Sequence, residues 1–238
     1  WRLASAVSLN GGLGLIGAGS MHPDNLRHHI RSCKEALRAD APGNKYGREL
    51  PFGVNVPLMY PQIDELMNIL VEEGVKIVFT SAGSPKKWTP FLKEHGITVV
   101  HVVSSSVFAK KCEEAGVDAV VAEGFEAGGH NGREETTTLC LIPAVREAVS
   151  LPLIAAGGIA LKCQIKACEA LGAEGVQIGT RFALSAESSA HENFKKHCLG
   201  MPEGATKLLL KKLAPARLAS GSEFTAKVAQ MEDAGASK

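Results

Sequence analysis

Short apolar runs that end in glycine-rich turns recur along this chain of 238 residues and alternate with longer amphipathic runs. The apolar runs are rich in valine and isoleucine and show little polar-apolar alternation, which is typical of strands buried on both faces. Strands of this kind separated by helices predict a parallel sheet with crossover helices. The strand candidates are residues 13–18, 52–56, 76–81, 98–103, 118–122, 153–156 and 175–178.

The order of these segments predicts an α/β fold, specifically a (β/α)8 TIM barrel that lacks its first strand in this sequence. A closed barrel of this type needs eight strands, whereas a helix over residues 1–9 precedes the first of the seven candidates. A strand before Trp1 would complete the count, and an open doubly wound sheet is the alternative. Further helices are predicted over residues 62–73, 107–115 and 139–149 from their apolar spacing.

The character of the chain changes after Phe182, where polar and charged residues become more frequent. We therefore expect a barrel domain over residues 1–184 and a C-terminal helical extension packed on it over residues 185–238. Helices are predicted there over residues 185–197 and 205–213.

Composition indicates which classes of partner this protein does not bind and in which cellular compartment it functions. Twenty-six basic residues nearly balance 25 acidic ones, and aromatic residues are few, so no nucleic-acid partner is expected. The six cysteines show no metal-type spacing, which favours reduced, buried thiols in a cytoplasmic protein. No apolar run is long enough to cross a bilayer, so no membrane partner is expected.

Two glycine-rich loops follow the last two predicted strands, Gly157-Gly158 and Gly179-Thr180. In eight-stranded α/β barrels the loops at these two positions often bind a phosphate group. Backbone N–H groups and a helix N-terminus can hold the phosphate, and Thr180 adds a hydroxyl donor. The alternative is that these glycines only make tight turns between strand and helix.

Polar side chains stand at or near the ends of other strands. His130 follows two glycines in a polar loop and could act as a general base or stabilise negative charge. Asn55 and Glu123 lie in apolar strands, where an amide or carboxyl group needs a hydrogen-bonding partner from the backbone or from a ligand. His101 lies within a strand and could face the barrel interior.

Six segments, in this order, resemble the flavin-dependent family that contains nitronate monooxygenases (2-nitropropane dioxygenases) and enoyl-acyl-carrier-protein reductase II. The resemblance runs from Trp1 to about Ser189. The segments are Asn-Gly-Gly-Leu-Gly (10–14), Phe-Gly-Val-Asn (52–55), Ser-Ala-Gly-Ser-Pro (81–85), Glu-Gly-Phe-Glu-Ala-Gly-Gly-His (123–130), Ala-Ala-Gly-Gly-Ile (155–159) and Gln-Ile-Gly-Thr-Arg-Phe (177–182).

This resemblance implies an FMN-binding (β/α)8 barrel and a role for each matching residue. His130 is implied to be the catalytic histidine near the reactive face of the flavin. The residues implied to contact the flavin are Asn55, Glu123, Gly128 and Gly129. Those implied to hold or flank its phosphate are Gly157, Gly158, Gln177, Ile178, Gly179 and Thr180.

The resemblance also sets the candidate functions. Nitronate monooxygenases often carry glutamine where this chain has Glu123, whereas the reductases carry glutamate in an Ala-Glu-Gly context like residues 122–124. The leading hypothesis is an enoyl-acyl-carrier-protein reductase of fatty acid biosynthesis that oxidises NADH or NADPH. The alternative is a nitronate monooxygenase that uses O2. A flavin-free phosphate-binding barrel and an inactive truncated product are further hypotheses.

The substrate is expected to be a small molecule or an acyl group on its carrier protein. A homodimer is left open.

Overall fold

The computed structural model describes residues 1–236, which form two compact units. The first unit comprises residues 1–102, 110–120 and 186–189. The second comprises residues 103–109, residues 121–185 and the chain from Ala190 onward. Each unit therefore combines segments that are distant in sequence.

Helices and strands alternate regularly through the first part of the chain. In order they are α1 (Arg2–Leu9), β1 (Gly14–Gly17), α2 (Pro23–Ala36), β2 (Phe52–Pro57), α3 (Ile63–Glu72), β3 (Ile77–Ser81), α4 (Trp88–Glu94) and β4 (Thr98–Val103). Neighbouring strands pair in parallel in the order β1-β2-β3-β4. The register places Asn55 of β2 opposite Gly17 on one side and Phe79 on the other.

The alternation continues to residue 183 and then gives way to a mixed segment. The elements are α5 (Ser106–Glu114), β5 (Ala119–Glu123), β6 (Gly129–His130), α6 (Thr138–Ala148), β7 (Leu153–Ala156), α7 (Lys162–Ala170), β8 (Gly175–Gln177), α8 (Thr180–Ala183), α9 (Glu192–Leu199), β9 (Thr206–Leu209), β10 (Ala216–Ala219) and α10 (Glu223–Asp233). Strand β7 lies between β5 and β8, and it pairs with β8 in parallel. The short strands β6, β10 and β9 form a separate antiparallel sheet.

The seven predicted strands and the three helices predicted between them are all present in residues 1–236, with no bound shifted by more than one residue. The α/β class is therefore confirmed. Burial explains the agreement: the first four residues of β5 are all buried, as its unbroken apolar run predicts. On α3, the buried side chains include Leu66, Ile69 and Leu70, which share one helix face. No helix in these residues has the length and apolar character needed to cross a membrane.

The prediction of a helix over residues 205–213 is wrong. Strand β9 lies there and pairs antiparallel with β10, with Leu209 opposite Ala216. Lysine and leucine favour a helix locally, but backbone pairing and the burial of these two side chains fix an extended conformation. The helix predicted over residues 185–197 begins only at Glu192, as α9.

The C-terminal segment is consequently of mixed structure. Residues 185–236 contain α9 and α10, as the predicted helical extension requires, and also the hairpin of β9 and β10. The division of the chain into a barrel over residues 1–184 and an extension over residues 185–238 stays a prediction.

The prediction that the cysteines are buried is wrong for two of them. Cys33, Cys112 and Cys168 are buried, whereas Cys140 and Cys163 are exposed. Cys163 and Cys168 both lie on α7, and residues five apart on a helix differ in direction by about 140°. Burial of one therefore turns the other toward solvent.

A close approach between α1 and β1 generates the first prediction. A Cβ atom at Gly14 would lie 1.8 Å from the carbonyl oxygen of Ala4, whereas one at Gly17 would meet nothing within 4 Å. We expect Gly14→Ala to lower the free energy of unfolding by roughly 1–3 kcal/mol, because backbone must move to admit the methyl group. We expect Gly17→Ala to change it by less than about 1 kcal/mol.

Urea denaturation of both variants and the parent measures this difference. Equal denaturation midpoints for the two variants would contradict the packing of α1 against β1.

Candidate functional site

The loops after β5 and β7 meet in the second unit around Thr138, the first residue of α6. The backbone N–H of Gly124 donates to the carbonyl of Ala156 at 2.9 Å. The hydroxyl of Thr138 donates to the carbonyl of Gly157 at 2.9 Å. A Cβ atom would lie 2.1 Å from this hydroxyl oxygen at Gly124 and 2.7 Å from it at Gly157. Both positions therefore require glycine for the two loops to reach α6.

The loop after β5 also reaches the segment that follows β8. A Cβ atom at Gly128 would lie 3.5 Å from the hydroxyl oxygen of Thr180. Gly179, the residue before α8, has no neighbour within 4 Å of its Cβ position, so the space beside it is open. The structure thus brings Gly128 close to Thr180, whereas the assignment of Gly179 and Thr180 to a phosphate stays a prediction.

The second predicted phosphate loop has a conformation that suits glycine. Gly157 and Gly158 have φ angles of +106° and +68°, in the left-handed region where a side chain is strained. The side-chain amide of Gln164 donates to the carbonyl of Gly158 at 2.9 Å and holds the turn at the start of α7. Gln177 and Ile178 are half-buried at the end of β8.

Glu123 is the last residue of β5, and its side chain is half-buried. It lines a shallow recess with Ser104, Phe125 and Thr136. Burial raises the pKa of its carboxyl from 4.5 to about 7. Within residues 1–236 its carboxyl forms no ion pair within 4 Å, so no cation offsets the cost of burying its charge. Near neutral pH this group can therefore either donate or accept a hydrogen bond.

His130 lies on the two-residue strand β6 and is exposed. Its backbone is paired with Ala216 of β10, while Gly129 is paired with Arg217. Gly129 has a φ of +82°, and a Cβ atom there would meet nothing within 4 Å. The backbone of His130 is therefore held by the sheet, and its imidazole is accessible.

Asn55 lies in the first unit, on β2. Its side-chain amide donates to the carbonyl of Phe79 at 3.2 Å and to the hydroxyl of Ser81 at 3.4 Å. Both partners belong to β3, so the neighbouring strand satisfies the amide nitrogen, as the backbone alternative predicted. Both hydrogen bonds use the amide nitrogen of Asn55.

His101 is fully buried on β4 of the first unit. Its Nδ1 lies 2.6 Å from the hydroxyl oxygen of Thr80 on β3. Burial lowers the pKa of the imidazole from 6.5 to about 4, against a smaller opposing effect of the Gly83 backbone. The ring is therefore neutral at physiological pH and ties β3 to β4.

Two residues that order the loop after β5 were not predicted from the sequence, Glu126 and Arg217. The carboxylate of Glu126 accepts hydrogen bonds from the backbone N–H of Thr138 at 2.9 Å and from its hydroxyl at 3.0 Å. Arg217 donates to the carbonyl of Phe125 at 2.8 Å. Glu126 stands within the glycine-rich segment, thirteen residues before the start of the helix predicted over residues 139–149, but the local sequence does not show which N–H group it accepts from. Arg217 follows a segment mistaken for a helix.

Comparison with known proteins identifies the family. The family model described as nitronate monooxygenase matches residues 39–236. The chain belongs to the nitronate monooxygenase family. This confirms the resemblance drawn from the motifs and, with it, the prediction of a flavin-dependent oxidoreductase.

The curated relatives of this chain are named for more than one enzymatic activity. A probable nitronate monooxygenase of Bacillus subtilis is 34% identical over 240 positions, which cover 87% of this chain and 68% of the relative. An octahydroindene-carboxyl-CoA dehydrogenase of Rhodococcus jostii is 31% identical over 83% of this chain and 52% of the relative. The chain therefore spans between about half and two thirds of the length of these curated relatives.

A solved structure supports the fold. FabK of Thermotoga maritima, an enoyl-acyl-carrier-protein reductase II, is 43% identical, with a TM-score of 0.86 over 97% of this chain and 70% of that protein. The TIM-barrel-like α/β fold class is thereby confirmed.

The buried histidine generates a prediction on pH. Between pH 6.5 and about 4 the unfolded chain binds a proton at His101 that the folded chain does not, so stability should fall as pH falls through this window. The slope is at most about 1.4 kcal/mol of unfolding free energy per pH unit for one proton. We expect His101→Leu to remove it, so that the unfolding free energies of parent and variant converge or cross as the solution is acidified.

Denaturant titrations at several pH values between 4 and 7.5 measure the two profiles. His197→Gln, which removes an exposed histidine on α9, is the matched control. Parallel profiles for the parent and His101→Leu would contradict a neutral, buried His101.

Proposed function

We propose that this chain forms the FMN-binding part of an enoyl-acyl-carrier-protein reductase II, which uses NADH or NADPH to reduce the double bond of an enoyl thioester. The observation that carries the proposal is Glu123 at the end of β5, in the Ala-Glu-Gly context of the reductases. The identity of 43% to FabK, against 34% to the Bacillus subtilis nitronate monooxygenase, supports the same choice. The Rhodococcus jostii relative is named for a carboxyl-CoA compound, which is a thioester, and this also favours a thioester as the substrate.

The described residues fit an FMN group. The space beside Gly179 is open, and the glycines at positions 128, 157 and 158 let backbone approach a ligand. Thr180 offers a hydroxyl donor. We assign the phosphate to Gly157, Gly158, Gly179 and Thr180, flanked by Gln177 and Ile178.

We assign the ring system and its side chain to Asn55, Glu123, Gly128 and Gly129. The amide oxygen of Asn55 suits an N–H group, and the carboxyl of Glu123 suits either a donor or an acceptor. FMN, when bound, supplies the hydride-transfer chemistry, and the protein supplies binding, orientation and electrostatics.

His130 is the residue we assign to the substrate. Its accessible imidazole can donate a hydrogen bond to the thioester carbonyl and stabilise the negative charge that develops on that oxygen. Because strand pairing fixes its backbone, little reorganisation is needed when the substrate binds. Localisation in the cytoplasm, an acyl-carrier-protein partner and a homodimeric assembly stay predictions.

The second candidate is a nitronate monooxygenase, in which His130 contacts an alkyl nitronate that is oxidised with O2. The matching family model and the Bacillus subtilis relative favour it. Membership in a flavin-dependent family removes the basis for a flavin-free phosphate-binding barrel.

An anaerobic titration of the flavin-loaded protein distinguishes the two candidates. For a reductase, we expect NADH or NADPH to bleach the visible flavin absorption and an enoyl thioester to restore it. If the flavin stays oxidised with both nicotinamides but is bleached by an alkyl nitronate, the protein is a nitronate monooxygenase and not a reductase. The nicotinamide that bleaches faster identifies the preferred co-substrate.

The open space beside Gly179 generates a test of the cofactor site. Because a Cβ atom there would meet no protein atom within 4 Å, we expect Gly179→Leu to leave the unfolding midpoint nearly unchanged. The leucine would instead occupy the phosphate position, and we expect FMN affinity to fall by about a hundredfold or more, the loss of about 3 kcal/mol in binding.

Fluorescence titration of FMN into the flavin-free protein measures this affinity. Full FMN affinity in a folded Gly179→Leu protein would overturn the assignment of Gly179 to the phosphate.

A further inference from the structure

Residues 124–130, here called the histidine loop, connect β5 to His130 and therefore determine where the imidazole lies. Asn131 braces the far end of this loop, since its side-chain amide donates to the carbonyls of Ala127 at 2.9 Å and Gly129 at 3.0 Å. Glu126 ties the middle of the loop to α6. Phe125, by contrast, is held from another part of the chain.

The backbone N–H of Phe125 donates to the carbonyl of Thr136 at 3.0 Å, whereas its carbonyl and its ring are bound by Arg217 of β10. Its Nε donates to the carbonyl of Phe125 at 2.8 Å, and its guanidinium carbon lies 4.8 Å from the centre of the Phe125 ring. One side chain thus binds both the backbone and the aromatic ring of the same residue. A second guanidinium nitrogen donates to the hydroxyl of Thr206 on β9 at 3.2 Å, which fixes the guanidinium from the other side.

The same strand also holds the far end of the histidine loop. Arg217 is paired with Gly129, and its neighbour Ala216, which is buried, is paired with His130. The backbone N–H of Asn131 donates to the carbonyl of Pro215 at 2.8 Å. Strand β10 therefore contacts the loop at both ends, four residues apart, and Arg217 provides the contact at the end nearer to β5.

We propose that Arg217 is a positioning residue for His130, acting by fixing the histidine loop between β5 and β10. The inference deepens the proposed function and rests on it, because it assumes that His130 contacts the substrate. Lysine cannot take this role, since a single ammonium group cannot bond the carbonyl, stack on the ring and bond Thr206 in one fixed planar arrangement.

Other contacts keep the hairpin of β9 and β10 in place without Arg217. Lys211 forms an ion pair with Glu135 at 2.7 Å, and Arg133 donates to the carbonyl of Leu213 at 3.2 Å. These contacts lie beyond the histidine loop. Loss of Arg217 should therefore loosen the histidine loop while the hairpin stays attached. An effect of Arg217 on the position of His130 can then be distinguished from an effect on the stability of the whole fold.

The first arm of the test measures loop order directly. Hydrogen exchange of the backbone amides of residues 124–130 is compared in the flavin-loaded parent, Arg217→Met and Lys207→Met. Lys207 is exposed on β9 and serves as the matched loss of a cation from the hairpin. We expect exchange in the loop to accelerate by roughly tenfold in Arg217→Met and to stay at the parent rate in Lys207→Met.

The second arm asks whether Arg217 acts through His130. Turnover per bound flavin is measured for Arg217→Met, His130→Ala and the double variant. Displacement of a catalytic group commonly costs about tenfold to a hundredfold, and we expect a loss of that size in Arg217→Met. In the His130→Ala background the same substitution should change turnover by less than about twofold, because coupled residues are not additive.

Two milder variants keep the test decisive if Arg217→Met folds poorly. Arg217→Lys keeps the charge, and Phe125→Leu keeps the backbone carbonyl while removing the ring. We expect both to lose turnover, with unchanged unfolding midpoints.

The proposal is overturned if hydrogen exchange in the histidine loop of Arg217→Met stays at the parent rate. It is also overturned if the turnover losses of Arg217→Met and His130→Ala multiply in the double variant. Unchanged turnover in His130→Ala contradicts the proposed function instead, and the exchange rates then still decide whether Arg217 orders the loop.

Discussion

The contact of Gly124 and Gly157 with Thr138 is the constraint on which the candidate site depends. A methyl group at either glycine would overlap the Thr138 hydroxyl, which is itself bonded to the carbonyl of Gly157 and the carboxylate of Glu126. This packing brings the ends of β5 and β7 against the start of α6. The loops that follow are then placed by short-range contacts, and Gly128 reaches Thr180 as a consequence.

Two buried ionisable groups respond to burial in opposite directions. His101 is kept neutral because its pKa is lowered to about 4, so its contribution to stability is lost as pH falls from 6.5. The pKa of Glu123 is raised to about 7, so the folded chain favours its protonated form, and stability is lost as pH rises from 4.5 through 7. The histidine has polar partners that make it a structural tie between strands. Within residues 1–236 the carboxyl of Glu123 forms no ion pair, and this difference supports the ligand contact proposed for Glu123.

The hairpin of β9 and β10 gives the C-terminal segment a direct part in the candidate site. Its strand β10 pairs with the backbone of His130. Arg217 of the same strand forms a hydrogen bond with Phe125, near the start of the loop that carries this histidine. In the proposed reductase, the group that meets the substrate is consequently positioned by a segment about ninety residues further along the chain. The contacts with this distant segment hold the glycine-rich loop, and with it the backbone of His130, in one place.

The sequence by itself determined the seven strands of the main sheet, three of the helices between them and the glycine-rich strand ends, because burial on both faces and helical apolar spacing leave direct local patterns. The motif order also determined the family. Only the tertiary structure decided that residues 206–209 form a strand, since their helical propensity is overridden by pairing with β10. The same holds for His101, Glu126 and Arg217, whose partners are 21, 12 and 92 residues away. Contacts over such separations depend on how the chain folds back, and no local pattern encodes them.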